Sequence, residues 1–129
     1  MNKKVVAMCV IVGSTIGGYL PTFLGQQKKG QDASAKSDAR NLVSQVEACF
    51  ADTQDYTQCN TSSALGTTGL DYGTGANQVS VTASTTGTFT VTATSASTNT
   101  FSINRVAGGG YTRTCTTAGN GGCKTGGTW

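Results

Sequence analysis

Residues 5–52, VVAMCVIVGSTIGGYLPTFLGQQKKGQDASAKSDARNLVSQVEACFAD, decide the fold of this chain. The residues from Val5 to Leu24 carry no charge, and as a helix they would span about 30 Å, the thickness of the hydrocarbon core of a bilayer. Beyond Gly25 the chain is polar, but apolar residues recur at helical spacing, at Ala39, Leu42, Val43, Val46, Cys49 and Phe50. The stretch predicts one long helix, apolar and then amphipathic, that ends near Asp52 or Thr53.

The hydrophobic period changes from 3.6 to 2 after residue 77. Apolar and polar residues alternate in four short runs, the last of them weaker, and Gly, Ser and Asn cluster between the runs. Residues 53–77 show no long periodicity and are interpreted as a loop that packs over the sheet. The pattern predicts an α+β fold in which the long N-terminal helix packs on an antiparallel meander of three or four strands.

Two domains follow from this pattern: an apolar helical tail over residues 1–25 and an α+β head over residues 26–129. Four lysines flank the apolar stretch, whereas residues 30–129 hold five basic and six acidic residues. Residues 1–29, which include the flanking lysines, therefore carry +4, and residues 30–129 carry −1. A nearly neutral head argues against a nucleic-acid surface, because phosphate binding needs clustered Lys and Arg.

The cysteines point to two disulfides. Cys9 lies in the apolar stretch, whereas Cys49, Cys59, Cys115 and Cys123 fall in the head at spacings that do not match a zinc knuckle. Three pairings are possible, and the two local ones, Cys49–Cys59 and Cys115–Cys123, are favoured. Each would add roughly 3 kcal/mol by the chain-entropy estimate, and both imply an oxidising compartment.

No feature of the sequence favours an enzyme. The chain has no histidine, which removes the commonest routes to acid–base, nucleophilic and zinc chemistry. Asp52, Asp55 and Asp71 are interpreted as solvated loop acids, and the glycine-rich segments match no phosphate-binding loop. We expect no catalytic residues, no metal and no cofactor.

The apolar stretch has two interpretations. Lys3 and Lys4 precede it, as expected for a retained membrane helix with the head outside the cell. The alternative is a secretory signal cleaved among the small residues 14–18, although no A-x-A site is present. Retention is favoured. Within a retained tail, Gly13 and Gly17 would let helices approach closely, and Pro21 would kink the helix.

The chain resembles bacterial type IV pilins and the pseudopilins of related secretion systems. Three motifs carry the resemblance: LPTFLGQ at 20–26, AKSDARN at 35–41 and QVEACF at 45–50. Gly13, eight residues before the proline, also fits the family pattern. The resemblance implies a subunit that is held in the inner membrane and then extracted into a helical filament, with tails bundled in the core and heads outside.

The N-terminus departs from that family pattern. Family members carry a processed Gly-Phe junction and a glutamate that pairs with the N-terminal amine of a neighbouring subunit. Here no Gly-Phe pair precedes the apolar run, and the glutamate's place falls at about Lys4. The physical argument for assembly does not need these features, since an apolar tail that leaves lipid must be covered by other tails.

The predicted function is structural: polymerisation into an extracellular pilus (fimbrium), with adhesion, motility or DNA uptake as later uses. The expected partners are identical subunits, the inner membrane before assembly and an export machinery, with nucleic acid only as a ligand of the whole pilus. Two alternatives are a secretion pseudopilin and a secreted monomeric β-rich binding module released by signal cleavage. The expected assembly residues are Val5, Val12, Gly13, Ile16, Gly17, Gly18, Leu20, Pro21, Phe23 and Leu24.

Overall fold

The computed structural model describes residues 20–129, with side chains from residue 24 onward. A long helix and four strands form the framework of this part of the chain, which confirms the predicted α+β architecture. The strands form one antiparallel sheet in which each pairs with its neighbours in sequence. In chain order the elements are α1 (Leu20–Thr53), a 3-10 turn (Tyr56–Gln58), α2 (Ser62–Leu65), β1 (Val79–Thr85), β2 (Thr88–Thr94), β3 (Thr100–Arg105) and β4 (Tyr111–Thr116).

Helix α1 meets the sheet through one stripe of residues. It crosses β2 and β3, the central strands, so that the stripe is sealed from water. The predicted stripe is confirmed between Ala39 and Val46, with its other members half-buried at the margin. Burial of one Leu or Val side chain contributes about 1.5–3 kcal/mol, so this contact is the main link between helix and sheet. The fully buried residues of α1 are Asp32, Ala35, Ala39, Leu42 and Val46.

The strands bury alternate side chains against α1, as the period of 2 predicted. The outer face carries mainly Ser and Thr, whose hydroxyls pair across strands, as Thr92 and Ser102 do at 3.0 Å. The alternation weakens in β4, where Tyr111 and Arg113 are exposed because α1 covers the centre of the sheet and not this edge. The buried inner face consists of Val79, Val81, Phe89, Val91, Ala93, Phe101, Ile103 and Cys115.

The segment between α1 and β1 is more ordered than a loop prediction implies. Asp55 caps the 3-10 turn by accepting a hydrogen bond from the N–H of Thr57, and Thr61 caps α2 in the same way. The segment lies along the β1 side of the sheet, where the N–H of Tyr56 donates to the carbonyl of Thr86 at 3.2 Å. Side-chain caps that satisfy free backbone donors explain why two short helices form in a stretch without apolar periodicity.

Two disulfides close the ends of the head, with the predicted local pairing. Cys49–Cys59 joins the last turns of α1 to the 3-10 turn, and Cys115–Cys123 joins β4 to the C-terminal segment. That segment returns along β4, where the N–H of Cys115 donates to the carbonyl of Gly127 at 2.8 Å. The glycine-rich terminus is thus pinned by backbone pairing as well as by Cys123.

Candidate functional site

Most of the predicted assembly residues lie outside the described part of the chain. Val5, Val12, Gly13, Ile16, Gly17 and Gly18 belong to this group. Leu20, Pro21 and Phe23 are placed in α1 by their backbone, and Leu24 is 50% exposed. No helix within residues 20–129 combines the length and apolarity needed to cross a membrane. The predicted span, which begins at Val5, lies mainly before these residues.

From residue 24 onward, the side chains of α1 are mostly solvated before the helix reaches the sheet. From Leu24 to Gly30 every residue is exposed except the half-buried Gly25, and the first fully buried residue is Asp32. Leu24 is one of the few large apolar side chains exposed among the described residues. Helix α1 therefore presents an apolar side chain to water at the point where the uncharged stretch ends.

Asp32 forms the first polar cluster of the helix–sheet interface. Its carboxylate is fully buried and accepts hydrogen bonds from the Ser97 hydroxyl (2.5 Å), the Asn99 amide (2.8 Å) and the backbone N–H of Gly122 (2.7 Å). Burial raises the pKa of Asp32, but the hydrogen bonds outweigh that effect and hold the pKa below its usual value of 3.8. One side chain thereby joins α1, the β2–β3 turn and the C-terminal segment.

The close packing around Asp32 depends on glycine. Gly121 has a φ of +58°, and a Cβ at this position would overlap the Asp32 carboxylate. At Gly122 a Cβ would lie 2.9 Å from the Cβ of Asp32. The Gly-Gly pair therefore allows the backbone to reach a buried carboxylate, which is a packing role that sequence reasoning did not assign.

Glu47 forms the second polar cluster, four turns further along α1. Its Oε1 accepts hydrogen bonds from the hydroxyls of Tyr56 (2.7 Å) and Tyr111 (2.8 Å) and lies 3.6 Å from Nη1 of Arg105. Burial first, and then the hydrogen bond to Glu47, raise the pKa of Tyr56 to about 12. The Arg105 guanidinium also lies against the Tyr56 ring, 5.9 Å from its centroid. The cluster is part-exposed and joins α1 to the far edge of the sheet.

Trp129 is the centre of a third cluster, made of cations. Its indole N–H donates to the carbonyl of Thr114 at 2.9 Å, and its ring meets Phe101 edge-on. The guanidinium carbons of Arg40 and Arg113 lie 5.2 Å and 5.1 Å from the centroid of the indole ring, and Nζ of Lys36 lies 5.9 Å away. Three cations around one aromatic ring give this side of the head a positive surface.

The three loop acids do not form a site together. Asp55 caps the 3-10 turn, Asp71 accepts a hydrogen bond from the Gln78 amide, and Asp52 is exposed at the end of α1. Among the described residues no group of three or more His, Cys, Asp or Glu side chains is arranged to hold a metal ion. The acids that organise the head are instead Asp32 and Glu47, whose signal in the sequence was their place on the sheet-facing side of the helix.

Comparison with protein-family models, with curated proteins and with solved structures found no match to this chain.

Proposed function

We propose that the chain is the structural subunit of a type IV pilus-like filament on the bacterial surface, with the inner membrane as its location before assembly. The observation that carries the proposal is α1 itself. The helix begins at Leu20, inside the uncharged stretch, and runs without a break to Thr53 in the head. A continuous helix is rigid, unlike a flexible linker. Tails packed in the core of a filament would therefore fix the positions of the heads around that core.

The surface of the helix start supports the same proposal. Leu24 is half exposed, and most of the residues after it are exposed until α1 reaches the sheet at Asp32. An apolar residue at this place contributes nothing to the head's own core. In a filament it would continue the contact between tails, where each buried methylene is worth about 0.8 kcal/mol.

The head suits a structural role on the outside of such a filament. Two disulfides brace it at both ends of the sheet, which helps a small core survive in an oxidising environment. We propose no catalytic activity and no cofactor. The partners are identical subunits, the membrane and an export machinery, and nucleic acid enters only as a ligand of the whole pilus.

A pseudopilin of a secretion machine is the nearest alternative, and it shares every feature used so far. The two differ in partners and in filament length. A secreted monomeric module is the alternative from another class, in which cleavage near residues 14–18 would remove the apolar stretch. The exposed Leu24 near the start of the described helix favours the filament, because a monomeric module has no use for an apolar side chain held away from its core.

The test combines electron microscopy with intact mass. We expect sheared surface material from the expressing bacterium to contain filaments, and their subunit to retain residues before Gly17. Ile16→Asp should abolish the filaments, because a charge at the centre of an apolar bundle costs several kcal/mol.

The matched control is Gly87→Asp, which places the same charge in the open β1–β2 turn, where a Cβ meets nothing within 4 Å. This variant should assemble normally. Long filaments formed by Ile16→Asp would contradict the role of the tail, and recovery of only a clipped, soluble head would favour the secreted module. Short assemblies that need other secretion components would favour the pseudopilin.

A further inference from the structure

A groove of about 390 Å³ lies between α1 and the β4 side of the sheet. Val43 and Ile103 supply its apolar lining, and Arg40 and Arg113 supply its positive charge. Glu47 also lines the groove, where its carboxylate already accepts a hydrogen bond from the Tyr111 hydroxyl. The groove continues to Tyr111 at the open end of β4. It combines apolar area with a few convergent polar groups, which is the usual composition of a binding site.

The two arginines have no acidic partner in the part of the chain that the structure describes. Within residues 20–129 the one ion pair is that between Arg105 and Glu47. Arg40 and Arg113 instead lie against the Trp129 ring, each within 5.2 Å of its centroid. A guanidinium on an aromatic face keeps its N–H donors free at the edge of the plane, where they can grip a carboxylate in a bidentate manner.

The positive field in this region acts on Lys36 as well. Burial lowers the pKa of Lys36, Asp32 raises it, and Arg40 and Lys124 lower it further. Among the described residues, Asp32 is fully buried beside these cations and already accepts three hydrogen bonds. Glu47, at the other side of the groove, already accepts from two tyrosines and pairs with Arg105. The surface beside Trp129 therefore has a surplus of positive charge that an anionic partner would neutralise.

The edge of β4 supplies a second, independent feature. The N–H of Cys115 points away from β3, because it donates to the carbonyl of Gly127. In an antiparallel pair the backbone groups alternate in direction, so those of Arg113 and Tyr111 also point outward. The C-terminal segment pairs with β4 at Cys115, and the half of the edge that borders the groove is left for another strand.

We propose that this groove binds an extended peptide segment of another protein, with its main chain paired to β4 at Tyr111 and Arg113 and a carboxylate side chain held by Arg40 and Arg113. Addition of a strand to an open edge gives affinity through backbone hydrogen bonds, and the arginines select for acidic sequence. The proposal is independent of filament assembly, since it concerns the head alone.

A peptide fits these features better than two other anionic partners. Nucleic acid would use the cations but not the strand edge, and residues 30–129, with a net charge of −1, offer few further cations for a row of phosphates. Within residues 20–129, a second copy of this chain offers no free extended acidic strand. Asp52 lies on α1, Asp55 caps the 3-10 turn, and the backbone of Asp71 already bonds to Val79.

The chain contains a built-in reporter for the test, because Trp129 is its single tryptophan and touches both arginines. The full chain in a nonionic detergent is titrated with a blocked peptide, Thr-Glu-Val-Glu-Thr, and tryptophan fluorescence is recorded. We expect a saturable change. The peptide with Gln in place of Glu should bind at least tenfold more weakly, because charge-assisted hydrogen bonds are lost.

Main-chain pairing is tested by N-methylation in two registers. One version of the acidic peptide is methylated at its two glutamates and the other at its valine and terminal threonine. Only one set of N–H groups can face β4, so one version should bind at least tenfold more weakly than the other. Equal loss or equal retention in the two versions would contradict strand addition.

Two substitutions locate the site. Arg113→Gln and Arg40→Gln should each weaken binding about tenfold, and far-UV circular dichroism checks that both variants stay folded. Lys29→Gln is the matched control, because it removes the same charge from an exposed position on α1. Equal weakening in all three variants would show attraction to net charge alone and overturn the proposal.

The remaining outcomes also decide the question. No saturable change up to millimolar peptide would overturn the proposal. Tighter binding of a single-stranded oligonucleotide or of inorganic phosphate would do so as well, because neither pairs with a strand edge. A dimer in the absence of peptide, lost on Arg113→Gln, would assign the groove to a second copy of this chain.

Discussion

The two carboxylates on the sheet-facing side of α1 are held in opposite ways. Asp32 is fully buried and accepts hydrogen bonds through both oxygens from a hydroxyl, an amide and a backbone N–H. Glu47 is 32% exposed and uses one oxygen to accept from two tyrosines, with Arg105 close by. Helix α1 is thus joined to the sheet by two networks. The closed network around Asp32 is buried and has uncharged donors, and the open network around Glu47 is part-exposed and includes a charged partner.

This difference indicates where stability and adaptability lie in the head. Buried donors that lose their acceptor cannot turn to water, so the Asp32 network is costly to break. Of the two tyrosines that donate to Glu47, Tyr111 is exposed whereas Tyr56 is buried, and an exposed ion pair is worth at most about 1 kcal/mol. The end of the head where α1 reaches the sheet at Asp32 is therefore expected to be rigid, and the β4 edge beside Glu47 is the end where change is tolerated.

The largest effect is expected from a test that replaces each of the two carboxylates, Asp32 and Glu47, by alanine. Asp32→Ala should lower the free energy of unfolding by about 3 kcal/mol, since it removes the shared acceptor of the buried Asn99 amide and of the half-buried Ser97 hydroxyl and Gly122 N–H. Glu47→Ala should cost about 1 kcal/mol. Urea unfolding of the full chain in detergent, followed by circular dichroism, measures both. Equal costs would contradict the contrast between closed and open networks.

The second test concerns the Cys115–Cys123 disulfide, which holds the neighbouring Gly122 close to Asp32. Replacement of Cys115 and Cys123 by Ser should cost about 2–3 kcal/mol from chain entropy alone. When the disulfide is removed together with Asp32→Ala, the loss of unfolding free energy should be about 1 kcal/mol less than the sum of the two separate losses, because both changes release the same segment. The pair Cys49 and Cys59 lies at the other end of α1 and serves as the control, where the two losses should add.

The third test is pH. The pKa of Asp32 is lowered in the folded state, so this group adds stability above its unfolded value of 3.8 and loses it as the pH falls below that value. Acid unfolding of the wild type should therefore be steeper than that of Asp32→Asn, which cannot ionise. Asp55, whose pKa is lowered by the Thr57 hydroxyl and then the Thr57 backbone N–H, contributes to both curves alike. Superimposable acid curves would argue against an ionised Asp32.

The smallest effect is expected in the alkaline titration of Tyr56. Its folded pKa of about 12 lies above the unfolded value of 10, so stability is lost as the pH rises through this range. Glu47→Gln should lower the pKa of Tyr56 toward 10 but not reach it, because burial remains. Ultraviolet absorbance of tyrosinate at equilibrium reports the shift. An unchanged titration would show that Glu47 does not act on this hydroxyl.

The periodic patterns in the sequence were sufficient for the framework. Apolar residues three or four apart predicted α1 and its end near Asp52 or Thr53, and alternation predicted three or four strands and their inner face, of which the structure has four. The two local disulfides were favoured among three possible pairings, and both are present. Each of these features depends on residues near one another in the chain, which is why a single sequence reveals them.

What only the tertiary structure decided is the partnership of polar groups that are distant in sequence. Asp32 meets Asn99 and Gly122, and Arg40 and Arg113 both lie against the Trp129 ring, because the meander and the returning C-terminal segment bring them to one side of α1. The periodicity of the sequence does not reveal such contacts, because a polar residue on a helix can either face solvent or belong to a buried network. Burial and the geometry of the partners make that choice, and both exist only once the chain has folded.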